Sequence, residues 1–583
     1  MPTTTNTGDL VTYTILAGKT AQLTAADELP QVLPVMEIHI EEAVNKIPTA
    51  TLTVADGNVA DQDFEVSGGR WLAPGTYIEI KVGYNGNHDT LFKGIVIANS
   101  HQIHESNSML IVICKHETVR MTLGKKSRYY ENVNDADVAE QLFSENEIGD
   151  YDIAGTGLVH EQLFQNQVSD WDFLISRLDV NGLYYTVKEG KIMIARAATD
   201  QVPVLTLAFG TNILSFEATT DARTQSAAVV GYAWDPSTQD VEEREGEASL
   251  SAYGGNPSGD ELAGILGQPL EMRLPGGTSA EELQLLINAK RNRQSLAKIK
   301  GKVTFPGEAK VVPGAYVTLS GLGDQFNGNV FVSGVQHEIG EGNWQTEATL
   351  GWEETFYSEQ IFPEHPVSLS GQYVVTQGLH IGVVTDLVDP AGQGRIRVRM
   401  PISGIAAEGI YARLATLDAG NRRGTFFLPE VNDEVIVGFL GDDPNYPVVL
   451  GVLHSSAKPP PIAATDENDE KGYVSRSGIK VLIHDGDKRV SVETPGGRKL
   501  MLDDNDGLCK LEDAAGNTLI FNDEGVSISS VRDLKLEAAA SLTLSAPQLT
   551  IKADATAELT ANGSLTVESS GVTEVKGSMV KIN

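Results

Sequence analysis

The chain has 583 residues, room for three to five domains, and carries a formal net charge of −35. Such a surface repels nucleic acid and anionic lipid headgroups at long range, so nucleic-acid binding is excluded. Its two cysteines, Cys114 and Cys509, form no CxxC. That excludes a disulfide framework and a zinc ribbon and suits a reducing cytoplasm.

The first residues, MPTTTNTGDLVTYTI, have neither a basic n-region nor an apolar h-region, so no secretory signal peptide is expected. No apolar run is long enough for a transmembrane helix. The segment MEIHIEEAVNKIPTATLTVADGN predicts two strands around a turn at Asn45–Pro48. TYIEIKVGYNGNHDTLFKGIVIANSHQIHESNSMLIVICKHE alternates apolar and polar, with a hairpin turn at Asn85-Gly86 and another near Glu105–Ser108. Three helices follow. The first has Asp135 as its expected cap and Val138 and Leu142 on one face. The second has Ser169 as N-cap, Asp172 three residues on, and a stop at Gly182. The third pairs Ser279 with Glu282 at the capping-box spacing and carries Leu283, Leu286, Ile287 and Leu296. Strands and tight turns then resume.

Five short strands between about residues 375 and 455 predict a small closed barrel such as an OB-fold. SSAKPPPIAATDENDEKG is a Pro-rich and then acidic linker. From Ser475 onward the chain reads as strand and turn.

The last fifty residues repeat. Apolar pairs stand at Leu534/Leu536, Leu542/Leu544, Leu549/Ile551, Ala557/Leu559, Leu565/Val567, Thr573/Val575 and Val580/Ile582, with first members 8, 7, 8, 8, 8 and 7 residues apart. A spacing of two puts both side chains of a pair on one face of a strand. Two apolar residues per turn cannot fill a single-chain coil. Three chains wound about one axis could close a narrow core and leave no free edge. The expected core is Leu534, Leu536, Leu542, Leu544, Leu549, Ile551, Leu559, Leu565, Val567, Val575, Val580 and Ile582.

Candidate chemical sites are weak. His101 and His104 form HQIHE, but on a strand i and i+3 face opposite sides. LDDNDGL at 502–508 and DENDEKG at 466–472 both miss the calcium-loop spacing and read as charged turns. Asp170 and Asp172 would point to different helix faces and suit the helix start instead. Trp171 and Phe173 read as core. The sequence offers no nucleophile elbow, phosphate loop or dinucleotide fingerprint, so no catalytic residue, cofactor or metal is expected.

Four stretches carry a resemblance: HEQLFQNQVSDWDFLISRLDVNGLYYTV, GKVTFPGEAKVVPGAYVTLSGL, LPEVNDEVIVGFLGDDPNYPVVLGVLHSSAKPPP and TPGGRKLMLDDNDGLCKLEDAAGNTLIFNDEGVSISS. Together, and in this order, they resemble VgrG-type central spike proteins of contractile injection systems, which are similar to fused phage tail hub and needle proteins. The resemblance implies a mainly β fold with some α+β. Its parts would be a hub of β-barrel and α+β subdomains over residues 1–368, an OB-fold barrel over 369–456, a linker over 457–474, and a neck with a C-terminal intertwined triple-stranded β-helix needle over 475–583. It also implies a homotrimer whose hub adapts a hexameric tube to a threefold needle. A PAAR-type tip protein would dock at Met579, Val580, Lys581, Ile582 and Asn583. Tube and baseplate proteins would contact the hub, with effector cargo as a further partner and transient contact with a target membrane. The linker leaves no space for a lysozyme domain, and no histidine follows His484 to build a metal apex. The particle is expected to assemble in a bacterial cytoplasm and to be of the extracellular phage-tail-like type, with type VI secretion and phage as alternatives. A carbohydrate-active tailspike is the enzyme alternative, opposed by the lack of aromatics after Phe521; a trimeric adhesin is the other.

Overall fold

The computed structural model describes all residues except 1–9, 31–32, 61, 70, 105–106, 199–200, 248–253, 275–277, 362–377, 402–407 and 583. The expected boundary at 368/369 and part of the Glu105–Ser108 turn lie outside the described residues. The chain divides into two compact units, Met1–His454 and Ser455–Asn583.

A twelve-stranded sheet organises the first unit. The hairpin Tyr77–Tyr84/Asn87–Ile103 turns on Asn85 and Gly86, both at positive φ (53° and 84°), the geometry that Asn-Gly supplies. Strands Val35–Ala43 and Thr49–Ala55 flank the expected turn, where Asn45 has φ 59°.

The sheet is built twice over. Ala73-Pro74-Gly75-Thr76-Tyr77 and Val312-Pro313-Gly314-Ala315-Tyr316 make the same turn, with φ 93° at Gly75 and 92° at Gly314. Gly75 N–H donates to Val96 O at 2.8 Å and Val96 N–H to Thr76 O at 2.9 Å; Gly314 N–H donates to Val332 O at 2.8 Å and Val332 N–H to Ala315 O at 2.9 Å. The strands that follow bulge at the same place, between Val96 and Ala98 against Cys114/Ile113 and between Val332 and Gly334 against Leu350/Thr349. One half thus runs from Val11 to Lys115 and the other from Leu205 to Leu350. Each half has its own apolar core, one around Ile40, Leu52 and Val112 and one around Val303, Val317 and Val335. The halves join where Val35–Ala43 pairs antiparallel with residues 334–340.

An α+β insertion separates the halves along the chain, and further helices interrupt the second half. The helix Asp135–Glu145 is capped by Asn134, not by Asp135, in a reciprocal capping box with Asp137. Asn134 can reach the N3 amide from outside the helix, whereas Asp135 is drawn inward by an arginine. The helix Asp170–Val180 is capped by Ser169 and stops at Gly182 with φ 64°, and Ala280–Leu296 is capped by Ser279. A further helix, Gly259–Leu266, has Ser258 and Glu261 as a capping box and ends at Gly267 in the left-handed region.

Strands His380–Asp386, Ile396–Arg399, Ile410–Leu414, Pro447–Val452 and Glu434–Phe439 close a five-stranded barrel. Val384, Val398, Val435, Val437 and Val449 fill it. In the second unit a seven-stranded antiparallel meander runs from Glu470–Val474 to Gly525–Ser529. Its first strand lies inside the segment expected as linker, because the Ser475–Gly478 turn folds residues 470–474 back onto Lys480–His484.

Candidate assembly surfaces

The meander has an apolar face, and among the described residues no apolar layer covers it. Its register aligns Tyr473, Val481, Val492, Leu500, Leu511, Leu519 and Ile528 in one row across all seven strands. A second row holds Ile483, Val490, Leu502, Cys509, Phe521 and Val526. The two rows lie two residues apart along each strand and so share one face. Leu500, Leu502 and Leu511 are about half exposed, at 45%, 51% and 51%. The opposite face carries a row of Lys480, Glu493, Lys499 and Glu512, with a Lys499–Glu493 ion pair at 2.7 Å. An exposed apolar stripe this long marks an interaction surface.

After Ser529 the stripe continues as the repeat. Bends fall at 531–532, 539–540, 547–548, 554–555, 562–563, 570–571 and 578, one before each apolar pair. The turns keep the period of the sequence, yet among the described residues 531–582 form no strand ladder and are exposed throughout. A strand needs a partner, and no described segment of the same chain supplies one. All twelve expected core residues lie on this segment, as do Met579, Val580, Lys581 and Ile582 at its end; Asn583 lies outside the described residues. The rows of the meander, which sequence reasoning missed, extend the same pattern upstream.

A buried polar network ties the insertion to the barrel. Arg177, only 1% exposed, donates to Asp135 through Nε (2.6 Å) and Nη2 (3.0 Å). Asn181 Nδ2 donates to Asp135 at 2.7 Å, and His160 Nε2 lies 3.0 Å from it. Burial alone would raise the Asp135 pKa, but the Arg177 charge and these hydrogen bonds outweigh it and hold the carboxyl well below its usual range. His160 sits on strand Val159–Val168, which faces the barrel. From that strand Phe164 N–H donates to Asn445 Oδ1 (2.8 Å), Tyr411 N–H donates to Gln162 Oε1 (2.9 Å) and Arg395 pairs with Glu161 (2.7 Å). Tyr446 donates to buried Glu282 at 3.3 Å, so Glu282 serves the barrel contact and does not reach back to complete the Ser279 box.

Other flagged residues are structural. Asp170 accepts from Arg128 (3.0 Å), Asn146 (2.9 Å) and Gln165 (3.0 Å) and pairs with Lys126. Asp172 accepts from Ser169 Oγ (2.6 Å) and Tyr357 (3.1 Å), and Trp171 and Phe173 are core. His101 packs edge-on against Phe64 at 4.9 Å. Residues 504–507 make the turn between Lys499–Asp503 and Leu508–Glu512. A cavity of about 730 Å³ lies at the join of the two sheet halves, lined by Glu42, Arg293, Lys300, Lys302 and Trp352 among others. Among the described residues no cluster of His, Cys, Asp and Glu could hold a metal ion.

The join is also acid-sensitive. His337 Nδ1 accepts from Trp344 Nε1 at 3.3 Å and lies 2.9 Å from Thr346 Oγ1, so the ring is held neutral. Burial, with the nearby His39, pushes the His337 pKa down to about 3, and burial pushes His116 down to about 4. The unfolded chain takes up these protons near pH 6.5, before the folded one, so stability is lost as pH falls from there toward 4, by at most about 1.4 kcal/mol per pH unit per histidine. Glu42, pushed by burial up to about 8, acts oppositely and costs stability as pH rises from about 4.5 to 8. Thermal unfolding of the first unit should therefore shift downward between pH 6.5 and 4. His337→Gln should reduce that shift; an unchanged shift would remove His337 from the account.

Residues 8–341 match the family model described as the Alg8 N-terminal domain. Residues 380–454 match the type VI secretion system/phage-baseplate injector OB domain, and residues 489–566 the phage baseplate V C-terminal trimerisation domain. No curated protein matches the chain in sequence. Among solved structures, VgrG of the Francisella PdpA–VgrG complex in its lidded form has 12% identity and a TM-score of 0.50, over 90% of this chain and 80% of that one. The half-lidded form gives 12% and 0.50 over 91% and 89%. The E. coli c3393 protein, a type VI secretion system component with structural similarity to the T4 tail proteins gp27 and gp5, gives 13% and 0.47 over 73% and 98%. The Francisella structures share the fold.

Proposed function

Because the chain belongs to the Alg8 N-terminal domain family and is a VgrG-type spike protein, we propose that it forms the homotrimeric leading end of the inner tube of a contractile injection machine. The observation that carries this is the apolar face of the meander, from Tyr473 to Ile528, followed by exposed apolar pairs that repeat as far as Ile582. Its trimerisation match over residues 489–566 supports the count of three. The doubled sheet supports the hub's task. Three chains bring six alike half-sheets to a ring, which suits a hexameric tube above and a threefold needle below.

In this reading tube and baseplate proteins contact the hub, and a PAAR-type tip protein docks at Met579, Val580, Lys581, Ile582 and Asn583. Effector cargo is a further partner; Francisella VgrG, which this chain resembles, forms a complex with PdpA. The work is mechanical, not enzymatic. Sheath contraction drives the tube forward and the needle through the target membrane. Assembly takes place in a bacterial cytoplasm and the particle is of the extracellular type. A carbohydrate-active or adhesive tailspike is the other reading, but no observation on this chain favours it.

Electron microscopy of particles from cells expressing an epitope-tagged chain tests the proposal. Label at the baseplate end of the tube is expected; label along the sheath, or on free tailspike-like fibres, would contradict it.

A further inference from the structure

The second half of the doubled sheet is interrupted by a small sheet of its own. Strand Val229–Asp235 lies between Asp240–Glu245, antiparallel to it, and Leu270–Arg273, parallel to it. The inner face packs on the helix Ala280–Leu296. Val229, Ala233 and Met272 join Leu283 and Ile287 in one core, and a Cβ on Gly231 would meet Leu283 at 2.6 Å and Ile287 at 2.7 Å. The outer face is the other set of alternate residues. Its cross-strand rows are Glu271–Val230–Glu245, Arg273–Tyr232–Glu243 and Trp234–Val241. Trp234 is 42% exposed and Val241 54%.

The two edges of this sheet differ. At one, Arg273 stacks over the Tyr232 ring at 4.7 Å and pairs with Glu271 at 2.7 Å, so a cation on a flanking strand serves both ring and carboxylate. At the other, Glu243 and Glu245 are exposed and meet no cation among the described residues. On the helix side of the same strand Glu242 does have one, Arg244 at 2.5 Å. Among the described residues Asp240–Glu245 pairs with Val229–Asp235 alone, so its far edge offers free N–H and C=O groups.

A strand added there would set alternate side chains opposite Val241, Glu243 and Glu245. Opposite charges are favourable across strands and like charges are not. Two copies of this edge would bring carboxylate against carboxylate, so the edge does not pair with itself. The chain's own strands with alternate cations carry Arg397 and Arg399, or Lys300 and Lys302. Each is hydrogen-bonded to a strand on both sides and is not free to be donated. The complement must come from another protein.

We propose that Asp240–Glu245 is a docking edge for a basic strand of a separate protein, which adds antiparallel with Lys or Arg opposite Glu245 and Glu243 and an apolar residue opposite Val241. Main-chain hydrogen bonds hold the added strand and the alternate cations set its register. The inference goes beyond the spike reading and does not need it.

Hydrogen exchange of the full-length chain tests it, with the peptide Thr-Arg-Thr-Arg-Thr-Val-Thr added in millimolar excess at low salt. Amides of Asp240–Glu245 should exchange about twofold more slowly when half the edges are filled, and more slowly still as peptide is added. Glu243→Lys/Glu245→Lys leaves the packed face untouched, since both residues are exposed. That variant should lose the protection and gain it from Thr-Glu-Thr-Glu-Thr-Val-Thr instead. Unchanged exchange in the wild-type chain would overturn the docking edge. Equal protection by Thr-Thr-Arg-Arg-Thr-Val-Thr, whose arginines face opposite sides of a strand, would overturn the added strand in favour of plain charge attraction. Protection by the first peptide that survives in the lysine variant would overturn the part given to the two carboxylates.

Discussion

A Leu542→Asp or Leu565→Asp chain should fail to hold its needle as a trimer. Each position supplies one member of an apolar pair, and each pair follows a bend that repeats every seven or eight residues. Three chains bring three copies of each side chain to one layer about the axis. The substitution therefore sets three carboxylates facing one another in a dry layer. Burying an unpaired charge costs several kcal/mol even after relaxation, and mutual repulsion adds to it. The few apolar residues per layer cannot offset that sum. Size-exclusion light scattering would show loss of trimer or a fall in its thermal resistance. Thr566→Asp, one residue beyond Leu565 and on the other face, should leave it unchanged. An intact heat-resistant trimer carrying Leu542→Asp would remove Leu542 from the core.

An Arg177→Ala variant should destabilise the first unit by about 3–5 kcal/mol, the usual cost of leaving one charge of a buried pair alone. Asp135 would keep Asn181 and His160 but lose its only guanidinium partner. The loss should reach the barrel, since His160 lies on the strand whose Gln162 and Phe164 hydrogen-bond Tyr411 and Asn445. Limited proteolysis should then cut near the barrel sooner than in wild type. Combining Arg177→Met with Asp135→Asn removes both charges and should recover most of the stability measured in urea. A single variant as stable as wild type would show that the network is not under the load assigned to it.

The sequence made visible what is periodic or local. The needle repeat, the Asn85-Gly86 hairpin, the Ser169 and Ser279 caps and the five-stranded barrel follow from spacing and turn chemistry within a few residues. The Ser258/Glu261 box is equally local, but the eight residues of the helix it starts show too little of the 3.6-residue period to mark a helix. The doubling of the sheet hid for a different reason. APGTYIEI and VPGAYVTL share only Pro, Gly and Tyr in register, and a strand core accepts Ile, Val and Leu alike. What persists is the glycine at positive φ and the bulge, both backbone features. Asp135 read as a cap because acids favour helix starts; its true partner is 42 residues away, a distance no local pattern encodes. The meander rows emerge only once register is known, since each strand offers just two of their members.

The native mass of the full-length chain, by light scattering after size exclusion, tests the central claim most directly when set beside a version ending near Ser475. The account predicts about three times 62.5 kDa for the full chain, with the trimer weakened or lost on truncation. A well-folded, monomeric full-length protein would contradict it.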